Sequence, residues 1–148
     1  MKEEINTLLL RGQLEGDRIN IVYDEHQYDL KIENNKPVFV KKQYNYPINL
    51  KECCDILNIT KNNYYTNELD ILQNLIICRN AYWKLADNWE PNWNDDEYKY
   101  IIECENDIIQ TDAITTHYQK LFAFPTPEMR NKFYENFKND IIKCKMFI

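Results

Sequence analysis

Apolar and polar residues alternate along the first third of the chain, which is the pattern of β-strands with one buried face. Three such runs are predicted: Arg18–Tyr23, residues 27–33 and residues 37–41. Ile19, Ile21 and Tyr23 lie on one face of the first run because successive side chains of a strand point to opposite sides. The sequence therefore predicts a three-stranded antiparallel meander, whose apolar face needs a helix or another sheet to cover it.

Two later stretches carry apolar residues at the three- and four-residue spacing of helices. The first covers residues 68–87, with Asn67 as its N-cap. The second begins at Pro127 with Thr126 as its N-cap, since proline at the first helical position loses no hydrogen bond. Its apolar stripe consists of Met129, Phe133, Phe137, Ile141 and Cys144.

Shorter elements fill the remaining sequence. Residues 3–10 favour a short helix, and a second short helix is predicted over Leu50–Leu57 with Asn49 as its N-cap. This second helix is expected to turn one of Cys53 and Cys54 inward. Three further strands are predicted: residues 98–104, 108–111 and 118–124.

The order of these elements predicts an α+β fold, with small antiparallel sheets packed against two long amphipathic helices. Residues 1–48 are expected to form an N-terminal β-meander region, and residues 49–148 an α+β C-terminal module. We expect residues 18–41 to pack on that module, so that the chain makes one compact unit.

Composition narrows the possible functions. A chain of 148 residues can bury a sizeable core without disulfides. The formal net charge is −6 and only four arginines are present, whereas nucleic-acid binding needs clustered cations, so a nucleic-acid partner is not expected. No apolar run approaches the roughly 20 residues of a membrane span, and the N-terminus does not resemble a secretion signal. We expect a protein of the cytosol, or one released from a cytosol, without membrane association.

The five cysteines are Cys53, Cys54, Cys78, Cys104 and Cys144. None forms a CxxC pair, and an odd, scattered set is typical of reduced, buried thiols. We expect no disulfide and no metal. A redox or metal-binding role for the vicinal pair Cys53 and Cys54 is the alternative interpretation.

Few polar residues of the chain form a pattern typical of a metal-binding or catalytic site. Asp95, Asp96, Glu97 and Glu90 could bind a divalent cation, but no glycine provides the turn of a calcium loop, and a solvated acidic loop is favoured. The two histidines have no zinc-ligand spacing, and the chain contains no phosphate-binding glycine loop. The sequence therefore predicts a protein without enzymatic activity or cofactor, with a small enzyme of unrecognised site as an alternative.

One aromatic cluster is the candidate binding site: Trp89, Trp93, Tyr98 and Tyr100. Tryptophan and tyrosine are enriched at binding hot spots. The alternative is that the two indoles hold residues 88–97 on the core.

Four stretches of the chain carry a resemblance: NYPINLKECCDIL, LQNLIICRNAYWKLADNWEPNW, DDEYKYII and, most specifically, FAFPTPEMRNKFYENFKNDIIKCK. They resemble a group of small proteins encoded by gut Bacteroidales and their tailed phages, including crAss-like phages. The resemblance implies a phage-derived setting and a shared C-terminal module, and it carries no catalytic residue. This chain departs from the group in its short linker before Trp89 and in its N-terminal meander.

The resemblance also implies that the shared C-terminal module is joined to varied N-terminal regions, an arrangement that resembles that of attachment or assembly proteins. We therefore expect a virion-associated or accessory interaction protein, located in the virion or the host bacterial cytoplasm. Its partner is expected to be a phage virion protein or a host protein, and self-association into a homo-oligomer is also considered. The alternative is a host-takeover or anti-defence protein that binds a bacterial enzyme or a nucleotide signal.

Overall fold

The computed structural model describes residues 14–15, 18–23, 26–61 and 67–148. It confirms the predicted α+β class, with antiparallel sheets and helices in one chain. The chain divides into two compact units, Met1–Tyr44 and Asn45–Ile148. The short helix predicted for residues 3–10 lies outside the described residues.

The first unit contains a meander of antiparallel strands that pair in chain order. Its strands are β1 (Leu14–Glu15), β2 (Arg18–Tyr23), β3 (His26–Glu33) and β4 (Lys36–Lys41). Asn34 and Asn35 join β3 to β4 with φ angles of 50° and 59°. Two consecutive left-handed residues are what a tight hairpin turn needs, and asparagine tolerates that conformation. The three predicted strands are thus confirmed, β1 was not predicted, and the packing of this meander on the C-terminal module stays a prediction.

Three helices are described in the second unit: α1 (Leu50–Leu57), α2 (Glu68–Leu85) and α3 (Pro127–Lys143). Each begins at its predicted N-cap, because Asn49, Asn67 and Thr126 accept a hydrogen bond from the backbone N–H three residues later. A short 3₁₀ turn, Lys145–Phe147, follows α3. None of the helices in the described ranges is long and apolar enough to cross a membrane.

Two helical predictions need correction. The helix predicted over residues 68–87 ends at Leu85, since Asp87 and Asn88 adopt left-handed φ angles of 58° and 59°. Cys53 and Cys54 are both buried, at 0% and 7% exposure, although only one was expected to face inward.

The second unit also contains a three-stranded antiparallel sheet in the order β6-β5-β7. Its strands are β5 (Lys99–Glu105), β6 (Ile108–Ile114) and β7 (Phe122–Phe124). The strand predicted at residues 118–124 is therefore much shorter than expected. A longer β7 would continue the pairing of Phe122 with Ile102 toward Cys104, but the Cys104 N–H donates to the Ile148 carbonyl at 3.3 Å. The C-terminal residue occupies the place that a longer strand would need.

The core of the second unit is aromatic. Tyr82 of α2 is fully buried, and its ring makes edge contacts with Phe124, Phe133 and Phe137. The Tyr82 hydroxyl donates to the Pro47 carbonyl at 3.0 Å, so its polar atom is paired. The buried positions of α3 include Met129, Phe133, Phe137 and Ile141, which recur at every fourth residue as predicted.

Candidate functional site

A cleft of about 410 Å³ lies at the C-terminal end of α2. Its chemistry comes from six of the lining residues, which we call the Trp cleft: Arg79, Asn80, Trp83, Lys84, Trp89 and Glu90. The cleft forms because the chain turns back sharply where α2 ends. Asp87 and Asn88 are left-handed, and the Trp89 N–H then donates to the carbonyls of Trp83 and Ala86, both at 3.1 Å. This turn places Trp89 beside the helix that precedes it.

The guanidinium of Arg79 lies over one face of Trp83, with its central carbon 4.1 Å from the ring centroid. Its Nη1 donates to the Leu121 carbonyl at 2.8 Å, and its Nε and Nη2 donate to Asn80 Oδ1 at 3.2 and 2.9 Å. Arginine has five N–H bonds, so two of them have no partner among the described residues. Arg79 is therefore held in one orientation and still has donors for a ligand.

Trp83 is fixed in the same way. Its Nε1 donates to the Ala123 carbonyl at 2.7 Å, and its ring meets Trp89 edge-to-face at 5.7 Å between centroids. Leu121 and Ala123 are alternate residues of what we call the β7 segment, which is β7 together with Leu121 before it, and β7 forms an edge of the sheet. Side chains of α2 thus satisfy edge carbonyls that no strand in the described residues covers, and these bonds fix the position of Trp83 against Trp89.

The charges around the Trp cleft are mixed, with two cations and one anion. Burial lowers the pKa of the Arg79 guanidinium, and the nearby Glu90 carboxylate partly offsets this effect. The group still stays charged, because an arginine pKa lies far above neutral pH. Lys84 adds a second cation, and its Nζ donates to the Ile56 carbonyl at 2.7 Å. A half-buried cation with free donors beside aromatic rings suits an anionic group carried on an apolar or aromatic ligand.

The four predicted binding residues lie at different positions in the structure, and only one of them lines the Trp cleft. Trp89 lines the Trp cleft, whereas Trp93, Tyr98 and Tyr100 are absent from its lining. Trp93 is half-buried in the following loop, Tyr98 is 63% exposed, and Tyr100 lies on β5 with the Arg130 guanidinium 5.9 Å from its ring.

Lys99 holds the loop between Asn88 and Tyr98 in place. It is only 2% exposed, and its ammonium donates to the carbonyls of Glu97 and Asp95 and to the Asp95 carboxylate. The bond from Lys99 lowers the pKa of Asp95 below its ordinary value. Lys99 lies in the strand predicted over residues 98–104, and its burial was not predicted from the sequence. The loop is therefore fixed by the ion pair between the buried Lys99 and the partly exposed Asp95, in addition to the packing of Trp89 on the core.

No metal centre is visible in the described part of the chain, where no group of three or more histidine, cysteine or acidic side chains comes together. All five cysteines are free thiols. A hydrogen bond with Cys53, together with burial, raises the pKa of Cys78, and burial raises the pKa of Cys54 and of Cys144. These three thiols are protonated at neutral pH, a state in which cysteine is a poor nucleophile.

Arg79 and Trp83 were not singled out from the sequence. The available signal was their spacing of four residues on a predicted helix, which places an arginine and a tryptophan side by side on one face. The carbonyls that hold them come from residues about forty positions later, with separations of 42 and 40. That part of the site could not be read from local sequence.

No protein-family model, no curated protein and no solved structure matches this chain. The residues of the Trp cleft are therefore the basis for a functional assignment.

Proposed function

We propose that the protein is a non-enzymatic interaction protein that binds a protein partner in the Trp cleft. One observation carries the proposal: a half-buried arginine with two unused N–H bonds is held over one indole, and that indole contacts a second. Tryptophan and arginine are the residues most enriched at binding hot spots, where a few side chains carry most of the binding energy.

The rigidity of the Trp cleft favours binding. Arg79 and Trp83 each donate one hydrogen bond to a backbone carbonyl of the β7 segment. Side chains that are already ordered lose little entropy when a partner arrives, and this loss is a main cost of association. The partner therefore meets a surface that needs no rearrangement.

The chemistry of the Trp cleft indicates what the partner presents. Arg79 and Lys84 outnumber Glu90, so the cleft is cationic on a chain whose net charge is −6. A guanidinium with free donors on both terminal nitrogens matches a carboxylate in a two-bond geometry. The partner segment is expected to bring an acidic side chain or a chain end, flanked by apolar residues that cover the indoles.

The biological setting of the proposal comes from the resemblance to proteins of gut Bacteroidales and their tailed phages. In that setting the partner is a virion protein or a host protein, and the protein serves in attachment or assembly. Its location is then the virion or the host bacterial cytoplasm. Self-association through the same cleft is part of the proposal, since the chain offers many acidic residues to a second copy.

A nucleotide signal is the second candidate ligand, within a host-takeover or anti-defence role. The observation that favours it is the combination of indole surface with a cation in one cleft of about 410 Å³. Indoles stack on bases, and a guanidinium binds phosphate. This candidate requires a small molecule to bind without any protein partner.

Affinity capture from phage-infected cells, followed by quantitative mass spectrometry, tests the proposal. The wild type should recover one partner reproducibly, and Trp89→Ala should lose it. Tyr98→Ala is the matched control because Tyr98 belongs to the same aromatic cluster but does not line the Trp cleft. Sedimentation of the purified protein tests self-association in parallel. A monomer that captures no protein but shows saturable quenching of its tryptophan fluorescence by nucleotides would replace the first candidate with the second.

A further inference from the structure

The two outer strands of the three-stranded sheet differ in how their outer edges are covered. The sheet order is β6-β5-β7, so β6 and β7 each have one edge that faces away from β5. On the β7 side, the carbonyls of Leu121 and Ala123 accept hydrogen bonds from Arg79 and Trp83. On the β6 side, no strand among the described residues pairs with the outer edge. An unpaired strand edge is a template for pairing with another chain.

The register of the β5–β6 hairpin determines which backbone groups of β6 point outward. Its turn consists of Asn106 and Asp107, and Glu105 pairs with Ile108 across this turn. The residues that flank a two-residue turn form a hydrogen-bonded pair, and such pairs recur at every second residue. The even-numbered residues of β6 therefore bond to β5. The N–H and C=O groups of the odd-numbered residues point away from β5: Ile109, Thr111 and Ala113.

A bond on the other side of β5 agrees with this pattern. Cys104 of β5 lies opposite Ile109, and its N–H donates to the Ile148 carbonyl at 3.3 Å instead of bonding to β6. Cys104 and Ile109 are thus a pair without mutual backbone hydrogen bonds, and the backbone groups of Ile109 are directed to the outer edge.

The outward residues of β6 are accessible. Thr111 and Ala113 are exposed, and Ile109 is half-buried. Asp112 Oδ1 accepts from the Ala113 N–H at 2.7 Å, but the Asp112 side chain is exposed and can exchange this bond for water. The outward carbonyls have no backbone partner within the described residues. β6 also contains no proline or lysine, the residues that commonly protect an edge strand from pairing.

The backbone of β6 is complementary to itself when two copies pair antiparallel about Thr111. In that register Thr111 faces Thr111 of the second copy, and Ile109 faces Ala113 of the second copy. All of the outward residues then lie in hydrogen-bonded pairs. This register also overlaps the two strands over their full length of 7 residues.

The side chains of β6 fit the same register. Ile108, which is 66% exposed, faces Ile114 of the second copy, and Asp112 faces the neutral Gln110. Asp112 is the one charged residue of β6, so no like charges meet. The register that is displaced by one hydrogen-bonded pair toward the end of β6 places Asp112 opposite Asp112, and like charges directly opposite each other destabilise a strand pair.

We propose that β6 pairs antiparallel with β6 of a second copy of this chain, about a two-fold axis at Thr111. Main-chain hydrogen bonds of the outward residues supply the affinity, and the threonine and isoleucine pairs add cross-strand contacts. Because both copies use the same surface, the contact closes at a dimer. This surface is separate from the Trp cleft, since no residue of β6 lines that cleft.

Sedimentation velocity of the full chain over a range of concentrations tests the proposal. The wild type should convert from monomer to dimer as the concentration rises, without larger species. Thr111→Lys should weaken dimerisation about tenfold or more, because it places two like charges opposite each other at the two-fold axis. Thr60→Lys is the matched control, since it makes the same change at an exposed threonine outside the sheet, and it should leave dimerisation unchanged.

Cysteine substitutions test the register. Thr111→Cys should form an intermolecular disulfide under mild oxidation, since the facing residues of a hydrogen-bonded pair have Cα atoms about 5.5 Å apart, within the range of a disulfide. Ala113→Cys is the matched control on the same exposed edge. In the proposed register the two copies of residue 113 lie more than about 10 Å apart, so this variant should not crosslink.

Three results would overturn the proposal. They are a wild type that stays monomeric at about 1 mM, a Thr111→Lys dimer as stable as the Thr60→Lys dimer, and crosslinking that does not favour Thr111→Cys over Ala113→Cys. Trp89→Ala should leave the dimer intact. Dissociation by Trp89→Ala and not by Thr111→Lys would assign self-association to the Trp cleft, so this proposal and the proposed function fail separately.

Discussion

Tyr82 and Trp83 are consecutive residues of α2, yet they belong to two different regions of the molecule. Tyr82 is fully buried, with aromatic neighbours around its ring and its hydroxyl bonded to Pro47 and Asn136. Trp83 is half-buried and lines an open cleft. The first residue has all of its interactions satisfied within the fold, whereas the second has surface left for a partner.

Under the proposed function, one helix serves both stability and recognition. Side chains of the closed region contribute to the free energy of unfolding, because their removal leaves cavities or unpaired groups. Under the proposed function, side chains of the open region contribute to binding, because a ligand completes their contacts. Substitutions in the two regions should therefore separate the two properties.

The largest expected effect comes from the closed region. Phe133 is fully buried, and its ring contacts Tyr82, Phe122, Phe124 and Phe137 at centroid distances of 4.9–5.6 Å. Phe133→Ala should lower the free energy of unfolding by about 3–5 kcal/mol. Denaturant titration followed by circular dichroism measures this loss.

The control for Phe133 lies on the same helix. Ile142 is 45% exposed, and Ile142→Ala should change the free energy of unfolding by less than about 0.5 kcal/mol. Equal losses for the two variants would show that α3 does not face the core through its fourth-residue stripe.

A smaller loss is expected when only the hydroxyl of Tyr82 is removed. Tyr82→Phe keeps the ring but deprives the Pro47 carbonyl and the Asn136 amide of one partner each. The free energy of unfolding should fall by about 1–3 kcal/mol. Tyr98→Phe removes a hydroxyl from a side chain that is 63% exposed, so it should change the free energy of unfolding much less. An equal loss of stability in Tyr98→Phe would show that burial of the Tyr82 hydroxyl does not matter.

The smallest expected effect is a pH dependence of the free energy of unfolding, caused by Asp95 in the loop after the Trp cleft. The bond from Lys99 lowers the folded-state pKa of Asp95, so its stabilisation is present above the unfolded pKa and is lost as the pH falls through the folded pKa. The difference in unfolding free energy between wild type and Asp95→Asn should thus be present at neutral pH and vanish in acid, below the ordinary aspartate pKa of about 3.9.

Asp96→Asn provides the comparison for the pH measurement. It removes the same charge from the same loop, and Asp96 makes no bond to Lys99. A pH dependence shared by both variants would indicate general loop charge instead of the Lys99 pair.

Local patterns predicted the helices well, and long-range contacts determined what local patterns missed. Asn49, Asn67 and Thr126 were recognisable as N-caps because a cap acts within its own turn. The shortness of β7 depends on Ile148 bonding to Cys104, a contact that adjacent sequence does not encode.

The candidate site was predicted only in part for the same reason. Trp89 was singled out by residue type and lines the Trp cleft, but Arg79 and Trp83 gain their role from carbonyls of the β7 segment. The burial of Lys99 also depends on tertiary structure, since its partners are backbone carbonyls of a folded loop.

The dissociation constant of the captured partner tests most directly whether the open end of α2 is the recognition surface. Calorimetric titration of wild type, Trp89→Ala and Tyr98→Ala gives the comparison within one aromatic cluster. Trp89→Ala should weaken binding by about thirtyfold or more, as expected for a hot-spot residue worth about 2 kcal/mol, while Tyr98→Ala should stay within about threefold. Unchanged affinity for Trp89→Ala together with a large loss for Tyr98→Ala would contradict the account and place recognition outside the Trp cleft.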